Sequence, residues 1–119
     1  MKPMTDATTP VGELRERVLA FARARDWEQF HSPKNLSMAL AAEAGELMEH
    51  FLWATPEQSK AITADEAKRR KIADELADVA NIVLLLSEHT GIDLSEAIRA
   101  KLVKNAIKYP APGTTGGAG

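Results

Sequence analysis

Glu75 and Asp78 stand inside the apolar stripe of an otherwise regular amphipathic helix, and few folds tolerate that placement. On a wheel of about 100° per residue, Ile72, Leu76, Val79, Ile82, Val83, Leu85 and Leu86 share one arc. Glu75 projects between Ile82 and Leu86, and Asp78 between Leu85 and Ile82. Asp74, Asn81 and Glu88 already supply the polar face. A helix shaped for packing alone would carry Leu or Ala at 75 and 78. An ionised carboxylate there is costly unless it is paired with a cation or binds a metal.

A second acid pair has the same spacing. Leu36, Leu40, Ala44, Leu47 and Phe51 define the apolar arc of an earlier helix. Glu43 falls about 20° outside that arc and Glu46 some 60° further, so both border the core, whereas Glu49 faces solvent. Four carboxylates directed inward repel one another, which raises pKa values unless cations neutralise them. Hard divalent cations with oxygen ligands do this, and Mg²⁺ characteristically adds substrate phosphates to its shell. The plain alternative is pairing with Lys or Arg across a bundle.

The composition agrees with helices. Twenty of the 119 residues are Ala and six are aromatic, which favours helix over strand. Start and stop signals divide the chain. Thr9-Pro10 opens a helix to about Arg25, and Ser32-Pro33 opens one to about Ala54. Residues 26–31 read as a loop or single turn. Thr55-Pro56 repeats the start signal ahead of a short turn over 55–62. Thr63 with Glu66, and Asp93 with Glu96, have capping-box spacing. They predict helices from about Ala64 to His89, ending at Gly91, and from Asp93 to about Tyr109, stopped by Pro110. The expected fold is all-α and four-helix-bundle-like. Residues 1–9 and 111–119 are expected to be flexible flanks of one domain over 10–110.

The net charge of −2 gives no footprint for nucleic acid. No apolar run approaches a membrane span, no signal peptide is expected, and no Cys is present for disulfides, thiolate metal sites or nucleophiles. A cytoplasmic location is the expectation. Thirty-three apolar residues larger than Ala are few for an isolated four-helix monomer, which favours an oligomer.

The last helix carries Lys101, Asn105 and Lys108 in one stripe, with Leu94, Ile98, Leu102 and Tyr109 as its apolar face. Lysines suit phosphate as flexible point charges; snorkelling lysines beside a packed face are the bland alternative. No glycine-rich phosphate loop occurs. His50 reads equally as a metal partner or a rim histidine.

Glu43-Ala-Gly-Glu46, 28 residues, then Glu75-Leu-Ala-Asp78 resembles the signature of the MazG-like all-α nucleoside triphosphate pyrophosphohydrolases. Arg25-Asp-Trp-Glu-Gln-Phe-His31, Phe51-Leu-Trp53 and Lys101…Asn105…Lys108-Tyr109-Pro110 bring the resemblance closest to the dCTP pyrophosphatase branch, over about residues 13–110. The resemblance implies Mg²⁺-dependent cleavage of a nucleoside triphosphate between the α and β phosphates, and a homo-oligomer, commonly a tetramer. It makes Glu43, Glu46, Glu75 and Asp78 the catalytic metal ligands. It makes Lys101, Asn105, Lys108 and Tyr109 phosphate or sugar contacts. Trp27, His31 and Trp53 become walls of the base pocket, although core packing is the ordinary reading of two Trp residues. Val18 stands where the vertebrate dCTP enzymes imply His, and Ile82 where they imply Tyr. Two other readings stand beside dCTP cleavage: a broad dNTP pyrophosphohydrolase, and a non-catalytic helical oligomer with a regulatory role.

Overall fold

Ser32 and Thr55, each followed by Pro, begin two of the helices. Ser32 Oγ accepts from the Asn35 backbone N–H and Thr55 Oγ1 from that of Gln58, both at 3.1 Å. The computed structural model describes residues 3–113. Its α-helices are α1 (Val11–Ala24), α2 (Pro33–Glu49), α3 (Pro56–Ala61), α4 (Glu66–Thr90) and α5 (Leu94–Lys108). Short 3₁₀ turns fill Glu28–Phe30 and Ile62–Ala64, and no strand occurs among the described residues. The outer parts of the expected flexible flanks, residues 1–2 and 114–119, lie outside the described residues.

The expected four helices become five. α2 stops at Glu49 and not near Ala54, because the chain tightens there into turns. Phe51 N–H donates to Met48 C=O at 2.9 Å and Ala54 N–H to Phe51 C=O at 3.0 Å. Pro56 then drives Thr55 out of the helical region, at ψ 161°. The reciprocal capping box forms at Thr55 and Gln58. Thr63 is no cap; it lies in the 3₁₀ turn, and the Asp65 carboxylate takes that role by accepting from Lys68 N–H at 3.1 Å. Asp93 caps α5 through Glu96 N–H, while the Glu96 side chain turns to Arg99 instead of closing a box. Gly91, at φ 70°, ends α4 as expected.

The core lies between α1, α2 and α4. Leu19, Ala22, Leu36 and Leu85 are buried together, with Val18, Ile82 and Leu86 packed against them. Arg15 of α1 fastens the far end of α4, donating to Ser87 Oγ and pairing with Glu88 at 3.5 Å. Leu76, placed in the apolar arc by its periodicity, is exposed. α5 makes no extensive contact with any other helix, and its Ile98, Leu102, Val103, Ile107 and Tyr109 are all exposed. The bundle within one chain is therefore built on α1, α2 and α4, and the expected packing of the last helix into it is not seen. The accessible surface is 8951 Å², against about 6,300 Å² for a compact monomer of this mass.

Candidate active site

The acid pairs meet where α2 packs on α4. Spacing of three places Glu43 and Glu46 one turn apart on α2, and Glu75 and Asp78 one turn apart on α4. One carboxylate oxygen each from Glu43, Glu75 and Asp78 lies within 4.8 Å of the others. Glu46 is near enough to act on both Glu43 and Glu75. The ion pairs among the described residues involve Glu13, Glu28, Glu57, Glu88 and Glu96, so no cation among the described residues pairs with these four acids. Glu43 Oε2 and Glu75 Oε2 are buried without a hydrogen-bond partner.

Desolvation, first, and then the charge of Glu46 and Asp78 push the Glu43 and Glu75 carboxyls above the ordinary 4.5. Burial and like charge thus act in the same direction on both carboxyls, as in a cluster of acids without a neutralising cation. The donor set consists of oxygens alone, two of them buried and unpartnered, which fits a hard divalent cation.

Glu43 and Asp78 also line a cavity of about 660 Å³, within the range of small-molecule sites. Its other walls are Val18, Phe21, Ala22, Trp27, Phe30, His31, Asn35, Leu36, Ala39, Asn81, Ile82 and Leu85. Trp27 reaches the wall through a tight helix ending. Asp26 takes the left-handed conformation at φ 56°. Its N–H donates to Arg23 C=O and Trp27 N–H donates to Ala22 C=O, each at 3.0 Å. These are the paired bonds of a Schellman ending, with Asp where Gly is usual. The Trp27 ring then meets Phe21 edge-on, with centroids 5.7 Å apart. His31 has His89 of α4 behind it, centroids 5.9 Å apart.

The structure thus groups Glu43, Glu46, Glu75 and Asp78, and sets Trp27 and His31 on the adjoining cavity. It does not bring Trp53 there. Trp53 is 91% exposed and borders a separate groove with Glu49, His50 and Lys68. Lys101, Asn105, Lys108 and Tyr109 lie along α5 and line no wall of the cavity. His50 caps the C-terminus of α2 beside Trp53, away from the carboxylates. Val18 and Ile82, the two departures from the dCTP branch, both line the cavity. Asn81 was missed: its period assigns it to the polar face, yet it lies three residues beyond Asp78 and faces the same space. Phe21 and Phe30 carried no motif of their own.

The sequence profile of the MazG-like family matches residues 38–116. A dCTP pyrophosphatase 1 from Bos taurus is 35% identical over 117 residues, which are 98% of this chain and 69% of the relative. The Homo sapiens dCTP pyrophosphatase 1 is 37% identical over 99 residues, 83% of this chain and 58% of the relative. A pyrophosphatase from Archaeoglobus fulgidus, known from its crystal structure, superposes with a TM-score of 0.79 at 29% identity, covering 92% of this chain and 100% of its own.

Proposed function

The chain belongs to the MazG-like family and is a nucleoside triphosphate pyrophosphohydrolase, and from that premise we propose that its substrate is a deoxynucleoside triphosphate, dCTP or a modified dCTP favoured, cleaved with Mg²⁺ between the α and β phosphates. The observation that carries this reading is the unpaired carboxylate cluster opening onto a cavity with aromatic and apolar walls. Packing alone gives no reason to gather four acids and leave two buried oxygens unpartnered, which weighs against a non-catalytic module.

In this proposal Glu43, Glu46, Glu75 and Asp78 hold the Mg²⁺. Bound there, the ion neutralises phosphate charge and orients the triphosphate. Glu46, exposed and outside the tight triad, is not fully used by the metal, and its remaining oxygen holds the attacking water and takes its proton. The oxygen bridging the α and β phosphates leaves with pyrophosphate, and the monophosphate remains. Trp27 and Phe30 give the base an apolar seat, where stacking on an aromatic ring contributes ~1–3 kcal/mol.

The lysine stripe enters through assembly. α5 exposes its apolar residues, and the radius of gyration, 17.7 Å, exceeds the roughly 13.5 Å of a compact chain this long. A homo-oligomer, dimer or tetramer, covers α5 and the face around Trp53. It brings Lys101, Asn105, Lys108 and Tyr109 to the triphosphate from another copy. No described helix is long and apolar enough to cross a membrane; a cytoplasmic role in nucleotide-pool cleaning is the reading offered, without nucleic-acid partners. Pyrophosphate release from a dNTP panel, with and without Mg²⁺, tests it. Mg²⁺-dependent release, greatest with dCTP, is expected. A broad panel response without base preference favours the general dNTP enzyme, and no release from any dNTP refutes the catalytic reading.

A further inference from the structure

Resting on that reading of the cavity, we propose that Asn35 reads the exocyclic amine of the base, so that the site takes a 4-amino pyrimidine in preference to a 4-oxo one. Asn35 lies in the first turn of α2 and lines the cavity. Its backbone N–H is already committed to Ser32 Oγ. Its side-chain Nδ2 donates to the backbone carbonyl of Phe30 at 3.0 Å.

A backbone carbonyl accepts and never donates. Phe30 therefore settles which end of the Asn35 amide faces it: the NH₂ end. The remaining polar atom of that side chain is Oδ1, an acceptor with no donor assigned to it among the described residues. Rotating the amide to offer NH₂ to a ligand would set Oδ1 against the Phe30 carbonyl oxygen, two acceptors in contact. The side chain is thus held with one sign of hydrogen bonding toward the cavity.

Of the other polar walls, Glu43 and Asp78 belong to the phosphate end in the proposed function, and Trp27 offers the base its ring face. Val18, Leu36 and Ile82 are apolar. His31 and Asn81 can each donate or accept, so neither imposes a sign. Cytosine carries an amine at position 4, which satisfies Oδ1. Uracil and thymine carry a carbonyl there, which leaves two oxygens facing and both unpaired. A site shaped for a donor rejects ligands that lack it more strongly than a pocket rejects a change in size.

The direct test compares kcat/KM for dCTP and dUTP, alike except at position 4, in wild type and Asn35→Ser. Wild type should prefer dCTP by about tenfold, the scale of one net hydrogen bond, because Asn35 is exposed in the free chain and the base itself must cover it. Asn35→Ser should bring the ratio within about threefold, by lowering dCTP turnover and sparing dUTP. A wild-type ratio near one, or an unchanged ratio in the variant, overturns the assignment.

Because Asn35→Ser also releases the Phe30 carbonyl, a second measurement uses the unaltered protein. The deoxynucleoside triphosphate of 2-pyrimidinone has hydrogen at position 4. It should fall below dCTP and above dUTP; equality with dCTP means that no group reads the amine. Titration calorimetry with the α,β-imido analogues of dCTP and dUTP, in Mg²⁺, separates recognition from chemistry. Tighter binding of the cytosine analogue without turnover of any dNTP supports Asn35 and refutes the activity. Turnover with equal binding refutes Asn35 and keeps the activity.

Discussion

Glu43 on α2 and Glu75 on α4 each bury one carboxylate oxygen, Oε2, with no hydrogen-bond donor, and offer oxygens within 4.8 Å of each other. Two carboxylates so placed repel one another in the metal-free protein, and the divalent cation proposed for this site would relieve that repulsion. On the proposed function, stability and catalysis are opposed at this point of the fold.

Glu75→Gln separates the two. The amide keeps the shape and removes one negative charge. Activity should fall about 100-fold or more, the scale seen when a preorganised electrostatic group is removed. The metal-free melting temperature should hold or rise, because the repulsion is relieved. Thermal melts and turnover, each with and without Mg²⁺, check both halves. Near wild-type turnover would remove Glu75 from the site.

The same pair sets a pH dependence. Burial, together with Glu46 and Asp78, holds Glu43 and Glu75 above the ordinary value of 4.5. In the window above that value the metal-free native state keeps protons that the unfolded chain has released. Their contribution to stability is present below the unfolded value and lost as pH rises through the raised native values. The stability difference between wild type and Glu75→Gln should thus move against wild type as pH rises from 4.5 toward neutrality, and Mg²⁺ should reverse it. Melting curves of both proteins across that range are the measurement; a difference independent of pH would contradict the electrostatic account.

Much of the fold is legible in local chemistry. Ser32, Thr55 and Asp93 cap helices where their spacing says they should, and Gly91 ends one. The acid pairs are legible because Glu75 and Asp78 break an apolar stripe. Other features depend on what period cannot encode. The end of α2 depends on a change from i→i+4 to i→i+3 hydrogen bonds at Phe51. A helical wheel locates Lys101, Asn105 and Lys108 on one stripe of α5, but says nothing of which chain that stripe meets. Leu76 satisfies the periodicity of α4 and still faces out, since no helix of the same chain covers it. Asn81 sits at the border between faces, where a residue belongs to whichever neighbour reaches it.

Asp26 supports the cavity from outside. Its left-handed backbone costs a non-glycine residue about 1 kcal/mol, offset by Gln29, whose Nε2 donates to Asp26 Oδ2 at 3.1 Å. Asp26→Gly should leave the melting temperature unchanged or raised. Asp26→Val places a β-branched residue at φ 56° and should lower it by several degrees, about 1–3 kcal/mol. It should also raise KM by displacing Trp27. Equal stability of the two variants would mean that the ending carries no such constraint.

Leu102, 62% exposed on α5, tests the assembly. Leu102→Glu should cost little in a monomer, since the side chain is mostly exposed within the chain. In the proposed oligomer it places a charge in an apolar interface. Sedimentation velocity should give a dimer or larger species for wild type, and a smaller, less active species for Leu102→Glu. A monomeric, fully active wild type would contradict the role given to α5.

The central claim is that the carboxylate cluster supports cleavage between the α and β phosphates of a deoxynucleoside triphosphate. Phosphorus NMR of dCTP incubated with the protein and Mg²⁺ reads the products directly. The account predicts dCMP and pyrophosphate in equal amounts from the first turnovers, with neither formed by Glu75→Gln on the same timescale. Appearance of dCDP and orthophosphate as first products, or the same dCMP and pyrophosphate from Glu75→Gln at the wild-type rate, would contradict it.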